Sequence, residues 1–366
     1  MMRTRRQLLT DIAGLAGVCF VGCGLLGARA ARAEAPRSVT IGGRRVKVID
    51  VHAHAAIPEA LALAGLKLGE GTLRPDLSPS TADERLAAMD ARGVDMECLS
   101  INAFWYGTQR DVAAKICQIQ NAQLAELCAK HPDRFSAYAS VALQYPDLAA
   151  DQLELAVKKY HLRGAAIGGS CAGKELSDPA FHPFWAKAEA LGVPVFIHPQ
   201  ATGAPGELKQ RFQGNGYLDN VIGNPLETTI ALSHLIFEGS LDRFPNLKIV
   251  AAHGGGFLPS YAGRSDRGCV AMPERCKGGA YGPIKKKPSE YLKQLYYDTM
   301  VFSPEALRHL AAEVGVHQLM LGTDAPYGWT STAVDEVLST PGLSDADKAA
   351  ILGATATKLL ALPARA

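Results

Sequence analysis

The sequence predicts one α/β domain of the (β/α)₈ (TIM) barrel class. Three observations lead there. Apolar, β-branched runs of strand length alternate with segments of helical period along most of the chain. Eight such strands can be counted, and eight parallel strands joined by helical crossovers close into a barrel better than they lie as an open sheet. Four of the eight end in histidine or aspartate, at the strand ends where such barrels carry their reactive groups. A doubly wound open sheet is the alternative, but no G-x-G-x-x-G follows a first strand. At 366 residues and 48% hydrophobic content the chain has ample material for one large core.

Residues 1–33 read as an export signal and residues 34–366 as the barrel domain. Thr4-Arg5-Arg6-Gln7-Leu8-Leu9 is a twin-arginine pattern, and a mild apolar stretch runs from Ile12 to Leu26. Ala28-Arg29-Ala30 and Ala31-Arg32-Ala33 then offer two small-x-small cleavage sites. The expected location is the periplasm, reached by the twin-arginine route, which carries folded proteins. The apolar run is short and weak for a transmembrane span, so no membrane association is expected after its removal. Residues 1–33 hold Arg3, Arg5, Arg6, Arg29 and Arg32 against Asp11, so the whole-chain +2 becomes −2 without them. That balance gives no global basic signal for nucleic acid. Lys285-Lys286-Lys287 reads as a solvated loop before Pro288.

The first strand follows Gly42-Gly43 and runs Val46-Lys47-Val48-Ile49-Asp50-Val51-His52-Ala53-His54. A long loop, Ala55 to Ser80, comes next, rich in Pro and Gly, with a short helix near Glu59–Leu66; long loops in compact domains are usually functional or mobile. Ser80-Thr81-Ala82-Asp83 then caps a helix to Ala91. The rhythm continues with strand Val94–Ile101, helix Thr108–Lys130, strand Phe135–Val141, helix Pro146–Tyr160 and strand Gly164–Ile167. Asp178-Pro179 opens a helix to Leu191, with proline at the favoured first position. Strand Val193–His198, helix Pro225–Leu241 and strand Leu247–His253 follow, then a less regular region to Pro288. Strand Leu295–Thr299, helix Pro304–Val314, strand Gln318–Thr323 and a helical tail from Ala333 complete the chain.

The chemistry is expected at the strand ends. His52 and His54 are two apart on a strand and present two imidazoles to one side. Strand five ends in His198, strand six in His253 and strand eight in Asp324. Neutral imidazole and carboxylate are ligands for zinc-class divalent ions. Five such residues at one position on four strands point to a metal site. No lysine ends strand four, where Ala165-Ala166-Ile167-Gly168-Gly169-Ser170 stands, so one ion rather than two is expected. His131, His161, His182, His234, His309 and His317 lie on helices or helix ends and read as surface or packing residues. Cys98, Cys117 and Cys128 sit in apolar patterns and read as buried thiols. Cys269 and Cys276 lie close together in a polar loop, where a disulfide and two free thiols are both open.

The H-x-H on strand one, the histidines on five and six and the aspartate on eight resemble the amidohydrolase superfamily. Gly223-Asn224-Pro225-Leu226-Glu227-Thr228-Thr229-Ile230-Ala231 is similar to the branch that contains 2-amino-3-carboxymuconate-6-semialdehyde decarboxylase. So are Phe244-Pro245-Asn246-Leu247-Lys248, Ala252-His253-Gly254-Gly255-Gly256 and Gly263-Arg264. The resemblance spans about Val46 to Leu360. It implies a (β/α)₈ barrel of the metal-dependent hydrolase type, with His52, His54, His198 and Asp324 on one divalent ion, zinc first and manganese second. It implies His253 as general acid/base, with Asp324 sharing protons. It further implies a homodimer in which Arg264 reaches into the neighbouring site to hold a substrate carboxylate. The family also uses an arginine from the first loop; here that loop is shorter, and Arg74 is the candidate. The activity so implied is decarboxylation of a small unsaturated or aromatic carboxylic acid. Hydrolysis of an amide, ester or lactone is the alternative, since a metal-bound water could attack a carbonyl with the same groups.

Overall fold

The computed structural model describes residues 36–200, 210–279, 282–329 and 331–363; the twin-arginine segment lies outside them. Eight barrel strands are present: β1 Ile49–His54, β2 Met96–Ser100, β3 Phe135–Ala137 with Ala139–Ser140, β4 Ala165–Gly168, β5 Pro194–His198, β6 Lys248–Ala251, β7 Tyr296–Asp298 and β8 Leu319–Met320. Every neighbouring pair from β1 to β8 is parallel. The break in β3 is a change of neighbour. The Tyr138 N–H donates to the Leu99 carbonyl of β2 at 2.9 Å, and the Ala139 N–H donates to the Gly164 carbonyl before β4 at 2.8 Å.

The barrel closes between its first and last strands. The Val51 N–H donates to Leu321 O at 2.9 Å, the Asp324 N–H to His52 O at 2.8 Å and the His54 N–H to Ala325 O at 2.6 Å. The buried Asp50 carboxylate ties the same seam, accepting the His52 N–H at 2.9 Å and the Thr323 N–H at 3.1 Å. Burial and nearby Glu97 push the Asp50 carboxyl up to about 7.

β1 starts later than the sequence suggests. Val46–Val48 links the barrel to a two-stranded hairpin, Thr40–Ile41 and Arg44–Arg45. Its backbone is already engaged: the Val46 N–H donates to Val39 O at 2.9 Å, and Val48 O accepts the Asp95 N–H at 2.9 Å. Within β1 a register shift falls between Asp50 and Ala53. Ile49 and Val51 pack in the same buried cluster as Phe196 and Val250, whereas Ala53 packs in the larger cluster with Leu99 and Ile101. A bulge of this kind re-aims the side chains beyond it, and His52 lies with its ring centroid 5.0 Å from Phe196.

Helices alternate with the strands: α1 Ala82–Arg92, α2 Arg110–Lys130, α3 Pro146–Lys158, α4 His182–Leu191, α5 Asn224–Phe237, α6 Ala262–Ala271 and α7 Pro304–Val314. α2 begins two residues late because Thr108 closes a turn, its N–H and hydroxyl both donating to Trp105 O at 2.9 and 2.8 Å. α5 stops short of Leu241 at Gly239, whose φ of 80° is left-handed and ends the helix. The loop helix spans Pro58–Leu63. The less regular region contains a true helix, α6, so Cys269 sits on a helix rather than in a loop. Cys269 and Cys276 are joined as a disulfide with Cα atoms 5.4 Å apart, which decides between the two states left open. Among the described residues, no helix is long and apolar enough to cross a membrane.

Candidate metal centre

Four side chains meet where β1, β5 and β8 end. His52 and His54 come from β1, His198 closes β5 and Asp324 follows β8. One ligand-type atom of each lies within 4.8 Å of the others, and all four residues are buried. His52 Nε2 is 3.1 Å from His54 Nε2 and 3.2 Å from Asp324 Oδ1. His54 Nε2 is 2.7 Å from the same oxygen.

The outer nitrogens show why those lone pairs face inward. His52 Nδ1 lies 2.6 Å from Asp298 Oδ2 on β7. A carboxylate there accepts a hydrogen bond from Nδ1–H and turns Nε2 toward the centre. Asp298 is itself fixed, accepting the N–H groups of His253 and Gly254, each at 2.9 Å, and of Met300 at 3.1 Å. His54 Nδ1 is 3.3 Å from Ser100 Oγ, whose hydroxyl donates to Ala53 O at 3.2 Å. The serine oxygen therefore accepts from Nδ1–H, and Nε2 again points to the centre.

The electrostatics call for a cation. Burial works against a charged imidazole at His52, yet Asp298 and Asp324 overcome it and push His52 up to about 10. Burial works to raise Asp324, but hydrogen bonds with His52 and His54 hold it well below the usual carboxylate range. Burial lowers His54 and, with the neighbouring imidazoles, takes His198 well down. Among the described residues, Nδ1 of His198 and Nδ1 of His253 are buried without a hydrogen-bond partner. Converging lone pairs in so dry a place fit a divalent ion, which three imidazoles and one carboxylate can hold. The four residues form a divalent-metal site. A side chain at Gly168 would run into Gln200 at 2.7 Å and one at Gly169 into Glu227 at 2.8 Å. A longer side chain at the end of β4 would therefore have to displace Gln200 or Glu227. Among the described residues these four make the one such cluster.

His253 stands beside the ligands, its ring centroid 5.2 Å from His52 and 5.3 Å from His198. Burial and the adjacent His52 push it down to about 4, so it is a neutral imidazole at pH 7. Its backbone has φ 55° and opens the run Gly254-Gly255-Gly256. A Cβ at Gly256 would lie 2.1 Å from Pro225 O, so the chain passes there against α5 only as glycine.

A cavity of about 510 Å³ opens over His54, His198 and Asp324. Its walls include Phe104, Tyr106, Asn224, Tyr327 and Trp329. Neither arginine suggested by the sequence lines it. Arg74 is exposed and pairs with Asp76, Nε to Oδ1 at 2.9 Å and Nη2 to Oδ2 at 2.6 Å, although Thr72 and Leu73 beside it reach the wall. Arg264 is exposed on α6. Asp266, its near neighbour, is occupied by the Ser289 N–H at 2.9 Å and hydroxyl at 2.7 Å. One residue escaped the sequence reading. Asp298 closes the run Leu295-Tyr296-Tyr297, the strand-end position that marks the ligands, and that signal was available.

The family model described as Amidohydrolase matches residues 49–362. The 2-amino-3-carboxymuconate-6-semialdehyde decarboxylase of Dictyostelium discoideum is 31% identical over 76% of this chain and 76% of its own length. The crystal structure of 5-carboxyvanillate decarboxylase from Sphingomonas paucimobilis superposes with a TM-score of 0.77 at 28% identity, covering 87% of this chain and 100% of that one. A dihydroxybenzoic acid decarboxylase from Polaromonas sp. JS666, solved with bound manganese and the inhibitor 2-nitroresorcinol, gives 0.73 at 27%, covering 87% and 98%.

Proposed function

The chain belongs to the amidohydrolase family, and from that premise we infer that it is a metal-dependent carboxy-lyase of a small aromatic carboxylic acid. One observation carries the reading: the His52, His54, His198 and Asp324 set opens onto a cavity walled by aromatic side chains, in a chain whose relatives are decarboxylases. Decarboxylation breaks the bond from a ring carbon to the carboxyl carbon. The electron pair stays on the ring carbon, which must then take a proton. A divalent ion, when bound, would polarise the acid's oxygens and stabilise the charge that develops. Proton handling falls to the side chains. His253 is neutral at pH 7 and can take up a proton and return it. Asp324 stays ionised and accepts hydrogen bonds from whatever lies over it. Phe104 and Tyr327 give the ring apolar faces and keep water from them.

We propose one ion per chain, zinc as the first candidate on its three imidazoles and manganese as the second on the Polaromonas relative. The twin-arginine pattern supports export to the periplasm, and the Cys269–Cys276 disulfide is in keeping with an oxidising compartment. Arg264, exposed on α6, is proposed to serve the site of a second copy in a homodimer. The test of the activity is a product screen. Metal-loaded protein is incubated with hydroxylated benzoic acids, and mass spectrometry is expected to find products lighter by CO₂. Products heavier by water, from esters, amides or lactones, would make the protein a hydrolase instead.

A further inference from the structure

We propose that Glu227 and Thr229 on α5 are positioning residues with separate roles: Glu227 sets the aim of the ligand His198, and Thr229 sets the loop that carries His253. For Thr229 the inference rests on the reading of His253 as the group that handles protons. Both residues belong to the Gly223–Ala231 motif, which contributes none of the four ligands. His198 is the histidine ligand without polar support. His52 leans on Asp298 and His54 on Ser100, but among the described residues no group hydrogen-bonds the His198 ring. Its aim must then come from the backbone that carries it. The β5 ladder ends with His198 opposite Gly168, and Pro199 has no N–H to extend it. The next donor, the Gln200 N–H, goes to Glu227 Oε2 at 2.9 Å. The same carboxylate lies against the end of β4, since a Cβ on Gly169 would fall 2.8 Å from Oε1. Glu227 thus fixes the chain two residues past His198, where β4 and β5 end side by side.

Thr229 holds the exit from β6. Residues 253–256 carry positive φ in succession, 55°, 61°, 78° and 66°. Asp298 ties the start of this run through the His253 and Gly254 N–H groups. Thr229 ties its end. The Phe257 N–H donates to Thr229 Oγ1 at 2.7 Å, and that hydroxyl donates to Pro225 O at 2.7 Å. One hydroxyl therefore uses both its hydrogen and its oxygen to seat the loop on α5. The seat is close, since a Cβ on Gly256 would lie 2.6 Å from Thr229 Oγ1. Two residues apart on a helix, Glu227 and Thr229 project in different directions, so each serves a different strand end. Removing either acceptor leaves a backbone N–H unpaired beside the metal centre, which is costly away from water.

The test needs no turnover. Cobalt(II) is the probe ion, because its visible absorbance reports ligand geometry. Glu227→Leu should weaken cobalt binding by about tenfold or more, the scale of lost outer-shell support, and should shift the absorbance bands. Glu227→Gln keeps an accepting oxygen and should restore both. Glu227→Ala serves if the leucine variant does not fold. Thr229→Val, or Thr229→Ala if valine does not fold, should leave cobalt affinity and bands unchanged. It should speed amide exchange in peptides covering residues 253–258 by about tenfold or more, the scale of one hydrogen bond. Thr229→Ser keeps the hydroxyl and should restore slow exchange. Unchanged cobalt binding in Glu227→Leu, a glutamine variant as weak as the leucine one, or unchanged exchange in Thr229→Val overturns the inference. So does an equal loss of cobalt affinity in the Glu227→Leu and Thr229→Val variants, which would mean that α5 loosens as one piece. The carboxy-lyase reading fails separately: these shifts as expected, with no hydroxybenzoate losing CO₂, would keep both roles and reject the reaction.

Discussion

His253 and Asp324 share an unusual backbone at the residue scale: each is a non-glycine residue with positive φ, 55° and 59°. The left-handed region costs a side-chain-bearing residue about 1–2 kcal/mol, and such residues cluster where function over-determines the geometry. Both sit where the chain leaves a strand and must turn its side chain over the barrel mouth. This guides the choice of variant. His253→Asn tolerates the same φ while removing the imidazole. The variant should keep its metal, because His253 is not among the four ligands, and lose turnover by about 10²-fold or more. Elemental analysis beside the rate separates the outcomes, and joint loss of metal and activity would make His253 a ligand. At this scale the sequence was most readable for residues that end strands. His52, His54, His198 and Asp324 could be picked out because a strand's end is a place that pattern alone locates. Asp298 was harder to read because its role depends on a contact with His52, 246 residues away, which no local pattern records.

At the scale of elements, the two strands that carry three of the four ligands are held together from behind by α1. Arg85 Nη1 donates to His54 O at 2.6 Å and Nη2 to Ala325 O at 3.5 Å. Its Nε donates to Glu97 Oε2 on β2 at 2.5 Å, and Arg92 Nη2 reaches Glu97 Oε1 at 3.1 Å. Glu97 is fully buried and Arg85 nearly so, so removing one partner leaves the other uncompensated. Arg85→Ala should therefore weaken metal binding by about 10- to 100-fold, the range seen when outer-shell support of a metal site is lost. Competition with a chromophoric chelator measures this directly, and an unchanged metal affinity would show that the clamp is irrelevant to the ligands. The alternation of elements was legible from periodicity, but their limits were set by contacts between distant segments. Thr108 closes a turn instead of entering α2, and Val48 lends its carbonyl to Asp95 instead of joining β1.

For the whole molecule, the barrel class followed from the count of strands, while the closure of that barrel is a long-range fact. The association state belongs here too. Arg264 lies outside the cavity of its own chain, so its proposed role needs a second copy. Arg264→Ala and His253→Asn should each be nearly inactive alone. In a mixed dimer, an arginine acting across the interface leaves one site with both lesions and the other with neither. Co-expressed mixtures should then recover about a quarter of wild-type activity, half the dimers being mixed and half their sites intact. No recovery, with mixed dimers confirmed by mass spectrometry, would confine Arg264 to its own chain or to no role at all.

The seam between β1 and β8 also bears on how the protein is made. Three ligands straddle it, two delivered early in synthesis and Asp324 near its end, hydrogen-bonded to His52 through their backbones. A nascent chain still on the ribosome has its three ligand histidines without their carboxylate, so the ligand set is completed only when translation passes Asp324. Metal affinity thus reports completeness: a chain cut short before β8 would keep His52, His54 and His198 without the carboxylate, and should hold the ion more weakly than the whole chain.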